Sequence, residues 1–103
     1  MEVINESEFK VKVLENKKIV LLDFFANWCG PCKMLTPVLE QVESERPDVE
    51  VLKVNIDQDE ELAKKFGVLS IPTIVYFVNG EEKDKTVGYR QKVQILDIID
   101  NLK

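Results

Sequence analysis

Residues 19–33 read IVLLDFFANWCGPCK. From Ile19 to Phe25 the run is almost continuously aliphatic, β-branched or aromatic, the pattern of a strand covered on both faces. Asp23 is the single interruption. Pro31 follows two residues after Cys29. A proline is harmless in the first turn of a helix, where its missing N–H has no partner to lose. The stretch therefore predicts a strand running into a helix, with both cysteines of the chain, Cys29 and Cys32, at the helix start. The carboxyl end of such a strand is where α/β sheets usually carry a site.

The flanking segments extend this unit. Val3 and Ile4 suit a short first strand. Asn5 and Glu8 have the spacing of a capping box. They predict a helix to about Asn16 with Phe9, Val13 and Leu14 turned inward. Met34, Val38, Leu39 and Val42 continue the helix after Cys29 to about Glu45, with a kink expected at Pro37. VEVLKVN at 49–55 is a second central strand. Asp57 or Asp59 caps a short helix that ends at Gly67. The run 73–88 is a hairpin turning at Asn79–Gly80. Ile95, Leu96, Ile99 and Leu102 predict a terminal amphipathic helix from about Lys92. The order is β-α-β-α-β-α-β-β-α. Strands joined through helices are expected parallel and the hairpin antiparallel, giving a mixed α/β sheet with helices on both faces.

With 103 residues, 45% of them hydrophobic, the chain suits one domain, residues 1–103, with a core of its own. Acids outnumber bases, 19 to 14, and no Lys/Arg cluster stands out, so neither nucleic acid nor an anionic membrane is an expected partner. The N-terminus has acids where a secretory signal needs positive charge. The cytosol is the expected location, and there a cysteine pair points to catalysis or metal rather than to a structural crosslink. The chain has no histidine, which removes every mechanism that needs imidazole.

Cys29 and Cys32 are three residues apart. On a first helical turn that spacing brings both sulfurs to one face, within disulfide reach. Zinc asks for about four ligands, and two thiols without a histidine do not supply them. A metal or cluster shared across a dimer is a rival of the same kind. Haem attachment wants a histidine where Lys33 stands. A purely structural disulfide would close so small a loop that it constrains the unfolded chain by only about 2 kcal/mol. Two inert buried thiols fit poorly with the Gly-Pro insert at a helix start. Dithiol–disulfide exchange is the reading these comparisons favour. Its nucleophile is a thiolate, and a helix N-terminus favours negative charge. Cys29 at the tip is then the attacking sulfur. Cys32, one turn inside and expected to be the more buried, is the resolving one. The acidic run DQDEE at 57–61 lacks the glycine of a calcium loop and reads as helix N-terminal carboxylates.

Asp23 shares a strand face with Ile19, Leu21 and Phe25. It is either an acid reaching water at the sheet end or a buried proton acceptor for Cys32, with a raised pKa. Lys53, inside VLKVN, reads by itself as a snorkelling surface lysine. Trp28 taken alone could be ordinary core packing, and Gly88 a strand-end glycine.

WCGPCK preceded by DFFAN resembles the thioredoxin family. So do VLKVNID at 51–57, SIPT at 70–73, FVNG at 77–80 and VG at 87–88, in the same order. The resemblance covers essentially the whole chain. It implies the thioredoxin fold, with a central five-stranded sheet, and a protein-disulfide reductase acting through Cys29 and Cys32. It implies no resident cofactor. Its partners would be protein disulfides and a flavin-containing, NADPH-fed reductase, and a monomer is expected. It supports Asp23 as the proton acceptor and places Lys53 near that acid. It implies a cis bond before Pro72, which composition alone does not license, since only about 5–6% of such bonds are cis. The backbone of Ile71 would then accept an extended substrate segment. Trp28, Gly30, Pro31, Ile71, Pro72 and Gly88 would form an apolar docking patch. Phe25 stands where many members have a second tryptophan, and Leu69 and Tyr89 are larger or more apolar than the pattern leads one to expect. Two alternatives stay open: a binding module of the same fold with incidental cysteines, and a disulfide oxidase or isomerase.

Overall fold

A computed structural model describes residues 1–102. Five strands form one sheet in the order β1-β3-β2-β4-β5. Glu2–Val3 is β1, Ile19–Phe25 is β2 and Val49–Asn55 is β3; the three run parallel. Thr73–Val78 (β4) and Glu81–Val87 (β5) form the hairpin, with β4 antiparallel to β2. The helices are α1 (Glu6–Phe9), α2 (Gly30–Glu45), α3 (Glu60–Lys65) and α4 (Lys92–Asp100), and α1 runs on into a π-helical turn, Lys10–Leu14. The mixed five-stranded sheet is the architecture the residue pattern leads to.

Alternation along β2 splits the core in two, because successive side chains of a strand point to opposite faces. Val20, Leu22 and Phe24 face α1 and α3, where they meet Phe9, Val13 and Leu62. Leu21 faces α2 and α4, where Leu35, Leu39, Ile95 and Ile99 close over it with Val51 and Tyr76. Asp23 belongs to β2 as well, and the in-register pairing of β2 with β3 sets it directly opposite Lys53.

Local signals account for most boundaries. Asn5 and Glu8 make the reciprocal capping box at α1. Asp59, not Asp57, caps α3 by accepting the Leu62 N–H. Asn79 and Gly80 have φ of 51° and 78°, the left-handed pair that a two-residue hairpin turn requires. Helix α2 continues unbroken through Pro37.

The N-terminal segment departs from the residue pattern at two points. The first strand is Glu2–Val3 and not Val3–Ile4; Ile4 has left the strand and is buried in the core. Leu14 is 40% exposed, whereas Phe9 and Val13 are buried. Leu14 is the last residue of the π-helical turn, one position beyond the buried Val13, and the step around the turn carries it to the rim.

Candidate functional site

Cys29 is the N-cap of α2, and its Sγ accepts the Cys32 N–H at 3.2 Å. Pro31 has no N–H, and the Lys33 N–H is taken by the Cys29 carbonyl. The sulfur of Cys29 therefore receives the first-turn amide that points at it, which is the interaction that holds an anion at a helix tip. The two cysteines are joined in a disulfide, with their Cα atoms 5.3 Å apart. Cys32 is not markedly the more buried: Cys29 is 5% exposed and Cys32 3%. The expected asymmetry is absent because Cys29 packs under Ile71, whose carbonyl oxygen lies 3.9 Å from its Sγ.

The peptide bond between Ile71 and Pro72 is cis. The Pro72 carbonyl accepts the Gly88 N–H at 2.7 Å, while the N–H and C=O of Ile71 make no backbone hydrogen bond among the described residues. That leaves a short free strand edge beside Cys29. Gly88 has φ 91°, a left-handed conformation that explains glycine there. A side chain at Gly30 would meet nothing within 4 Å, so its surroundings are open.

Trp28 is 69% exposed, and core packing is ruled out for it. Its Nε1 donates to Asp57 Oδ2 at 2.9 Å, and the Asp57 N–H is in turn held by the buried Asn55 Oδ1. Asp57 thus fixes the indole instead of capping a helix. Nothing in the acidic run 57–61 distinguishes that carboxylate from its neighbours, so the residue was invisible as a site member. Leu69 is 98% exposed and Tyr89 partly so.

Asp23 is fully buried, and neither carboxylate oxygen has a hydrogen-bond partner among the described residues. The reading of an acid reaching water at the sheet end is therefore overturned. Burial pushes its carboxyl up to about 7, against the opposing pull of the Lys53 charge. Lys53 is not the free surface lysine that its own segment predicts. Its ammonium lies 3.9 Å from Asp23 Oδ2, donates to Thr36 Oγ1 at 3.2 Å and stands 4.4 Å from the centre of the Phe25 ring. Register is the cause, since β2–β3 pairing puts Lys53 next to Asp23. A cleft of about 170 Å³ opens here, with Phe25, Cys32, Lys33, Thr36 and Lys53 among the residues that line it. It touches Cys32 and neither Cys29 nor Ile71.

A disulfide at a helix tip, a free strand edge across from it and a buried acid behind define a disulfide oxidoreductase of the mixed-sheet α/β class. The thioredoxin family model matches residues 1–101. The chain is 48% identical to a thioredoxin of Rickettsia felis over 97 residues, 93% of this chain and 92% of that one. It is 42% identical to a thioredoxin of Chlamydia trachomatis over 99 residues, covering 96% and 95%. A thioredoxin of Chlamydia caviae is 52% identical over 81 residues, 79% of each chain. The chain belongs to the thioredoxin family, and its chemistry is thiol–disulfide exchange through Cys29 and Cys32.

Proposed function

We propose that the chain works as a general protein-disulfide reductase in which Cys29 attacks and Cys32 resolves. The observation that carries this is the Cys29 sulfur at the α2 N-cap, receiving the Cys32 N–H beside the Ile71 backbone, which makes no backbone hydrogen bond among the described residues. In the reduced protein the same amide and the helix dipole favour the Cys29 thiolate. That thiolate attacks one sulfur of a substrate disulfide. The substrate S–S bond breaks, a Cys29–substrate disulfide forms, and the second substrate sulfur leaves as a thiolate that takes up a proton. Cys32 then gives its proton to Asp23 and attacks Cys29 Sγ. The Cys29–Cys32 disulfide closes, and the first substrate sulfur departs. Two electrons pass to the substrate and two are lost by the pair.

Asp23 suits the proton transfer because a carboxylate with a pKa near 7 is a matched base at neutral pH. Lys53 tempers it by favouring the charged form. Trp28, Gly30, Pro31, Ile71, Pro72 and Gly88 form the surface on which an extended substrate segment lies, pairing with Ile71 by strand addition. The low relief of glycine and proline accommodates many sequences. A flavin-containing, NADPH-fed reductase returns the electrons. The protein acts in the cytosol as a monomer of one domain; no helix among the described residues is long and apolar enough to cross a membrane.

Single-cysteine variants test the assignment. With an insulin-type substrate, Cys32→Ser is expected to accumulate the mixed disulfide and Cys29→Ser to form none. The reverse pattern exchanges the roles. Binding retained in the double Cys→Ser variant, together with no reduction by the intact protein, would make the chain a docking module.

A further inference from the structure

The cleft behind Cys32 holds a side chain with no part in the exchange so far described. Thr36 lies one turn beyond Cys32 on α2 and is half-buried. Its Oγ1 donates to the Cys32 carbonyl at 3.2 Å and accepts from Lys53 Nζ at 3.2 Å. A hydroxyl has one proton to give and lone pairs to receive, so these bonds use it in both directions. Thr36 is the only hydrogen-bond acceptor of the Lys53 ammonium among the described residues. That ammonium stands 3.9 Å from Asp23 Oδ2, too far for a direct hydrogen bond and close enough for strong attraction.

We propose that Thr36 is a positioning residue for the resolving step, fixing the Lys53 ammonium at its distance from the Asp23 carboxylate and tying that distance to the backbone of Cys32. The proposal rests on the reading of Asp23 as the proton acceptor. A lysine ammonium is strongly hydrated and rides on a flexible stem, and the cleft offers it a way out to water. The Thr36 hydroxyl supplies the counter-attraction. Closer approach would convert the pair into a hydrogen-bonded one and lower the basicity of Asp23. Withdrawal would leave the carboxyl neutral over a wider pH range.

Few other ionisable groups bear on Asp23. From β3 comes Lys53. From α2 come Cys32, uncharged in the disulfide, and Lys33 on the cleft lining. From β4 comes Tyr76, whose hydroxyl is engaged with Thr86 Oγ1 at 3.1 Å. Helix α4 presents the apolar Ile95 and Ile99 to this side of the sheet. Lys53 is therefore the charge through which Thr36 can act.

The test is the Asp23 carboxyl titration, followed by carbon NMR in the oxidised protein. Thr36→Val keeps the shape and removes the hydroxyl; Thr36→Ser keeps the hydroxyl. The expected result is a midpoint about one pH unit higher in Thr36→Val, the lower end of what an opposite charge at this range contributes, and a wild-type midpoint in Thr36→Ser. An unmoved or lowered midpoint in Thr36→Val overturns the proposal. An equal rise in both variants also overturns it, by assigning the effect to packing. The titration needs no turnover. Failure of Asp23 as the acceptor would show instead as an Asp23→Asn protein that resolves its mixed disulfide at the wild-type rate.

Discussion

At the scale of single residues, the burial of Asp23 makes stability depend on pH. Its carboxyl titrates near 7 in the folded protein against 3.8 for an unperturbed aspartate, chiefly because burial penalises the charged form. Between those values the folded protein keeps a proton that the unfolded chain has released. Stability is therefore expected to fall as pH rises from about 4 to about 7 and to level off above. The interval of about three pH units corresponds to roughly 4 kcal/mol. Asp23→Asn removes the titration. Urea unfolding at pH 5 and pH 8 is expected to give that variant nearly equal stabilities and to make it the more stable protein at pH 8. A wild-type difference between the two pH values in Asp23→Asn would show that some other group carries the dependence. The same residue illustrates what a linear reading reaches. An acid inside IVLLDFF stands out in the sequence, although whether it is buried or reaches water at the sheet end is left to the structure. Its partner does not, because the orientation of Lys53 depends on the register of β2 against β3. The bonds from Trp28 to Asp57 and from Lys53 to Thr36 likewise join residues 29 and 17 positions apart, and no local pattern encodes them.

At the scale of elements, the cysteine pair was legible because it lies within one helical turn, and the hairpin because Asn79–Gly80 specifies its own turn. What the pattern left out is how the elements touch. Gly80 is an example. Its φ of 78° already favours glycine, and a Cβ there would also run into the Leu14 carbonyl oxygen, where the π-helical turn packs against the hairpin. Gly80→Ala is expected to cost at least about 2 kcal/mol, since the left-handed penalty and the overlap add. A loss below about 0.5 kcal/mol in denaturant unfolding would mean that the turn relaxes freely. Gly30 is the counterpart, with open space where a Cβ would stand. Gly30→Ala is expected to leave stability within about 0.5 kcal/mol of the parent and to raise KM for protein disulfides. That combination separates a glycine kept for the partner's approach from one kept for the fold. An unchanged KM would remove Gly30 from the docking surface.

At the scale of the whole molecule, the site depends on both cores because β2 serves both. Its even-numbered residues pack under α1 and α3, and Leu21 under α2 and α4. Neither half can loosen without moving the strand that carries Asp23 and leads to Cys29. The Cα radius of gyration, 12.3 Å, is close to the ~13 Å of a single 100-residue domain. Both features predict one cooperative unfolding unit. Leu62 and Ile95 are fully buried on opposite sides of the sheet. Leu62→Ala and Ile95→Ala are each expected to lower stability by about 2–5 kcal/mol through lost burial and the cavity left behind. In each variant the fluorescence of Trp28, the only tryptophan, should follow the same denaturant curve as far-ultraviolet circular dichroism. Coincidence of the probes is the mark of a two-state transition. Separate midpoints in either variant would mean that one layer of helices can melt from an intact sheet. The redox site would then rest on only one of the two cores.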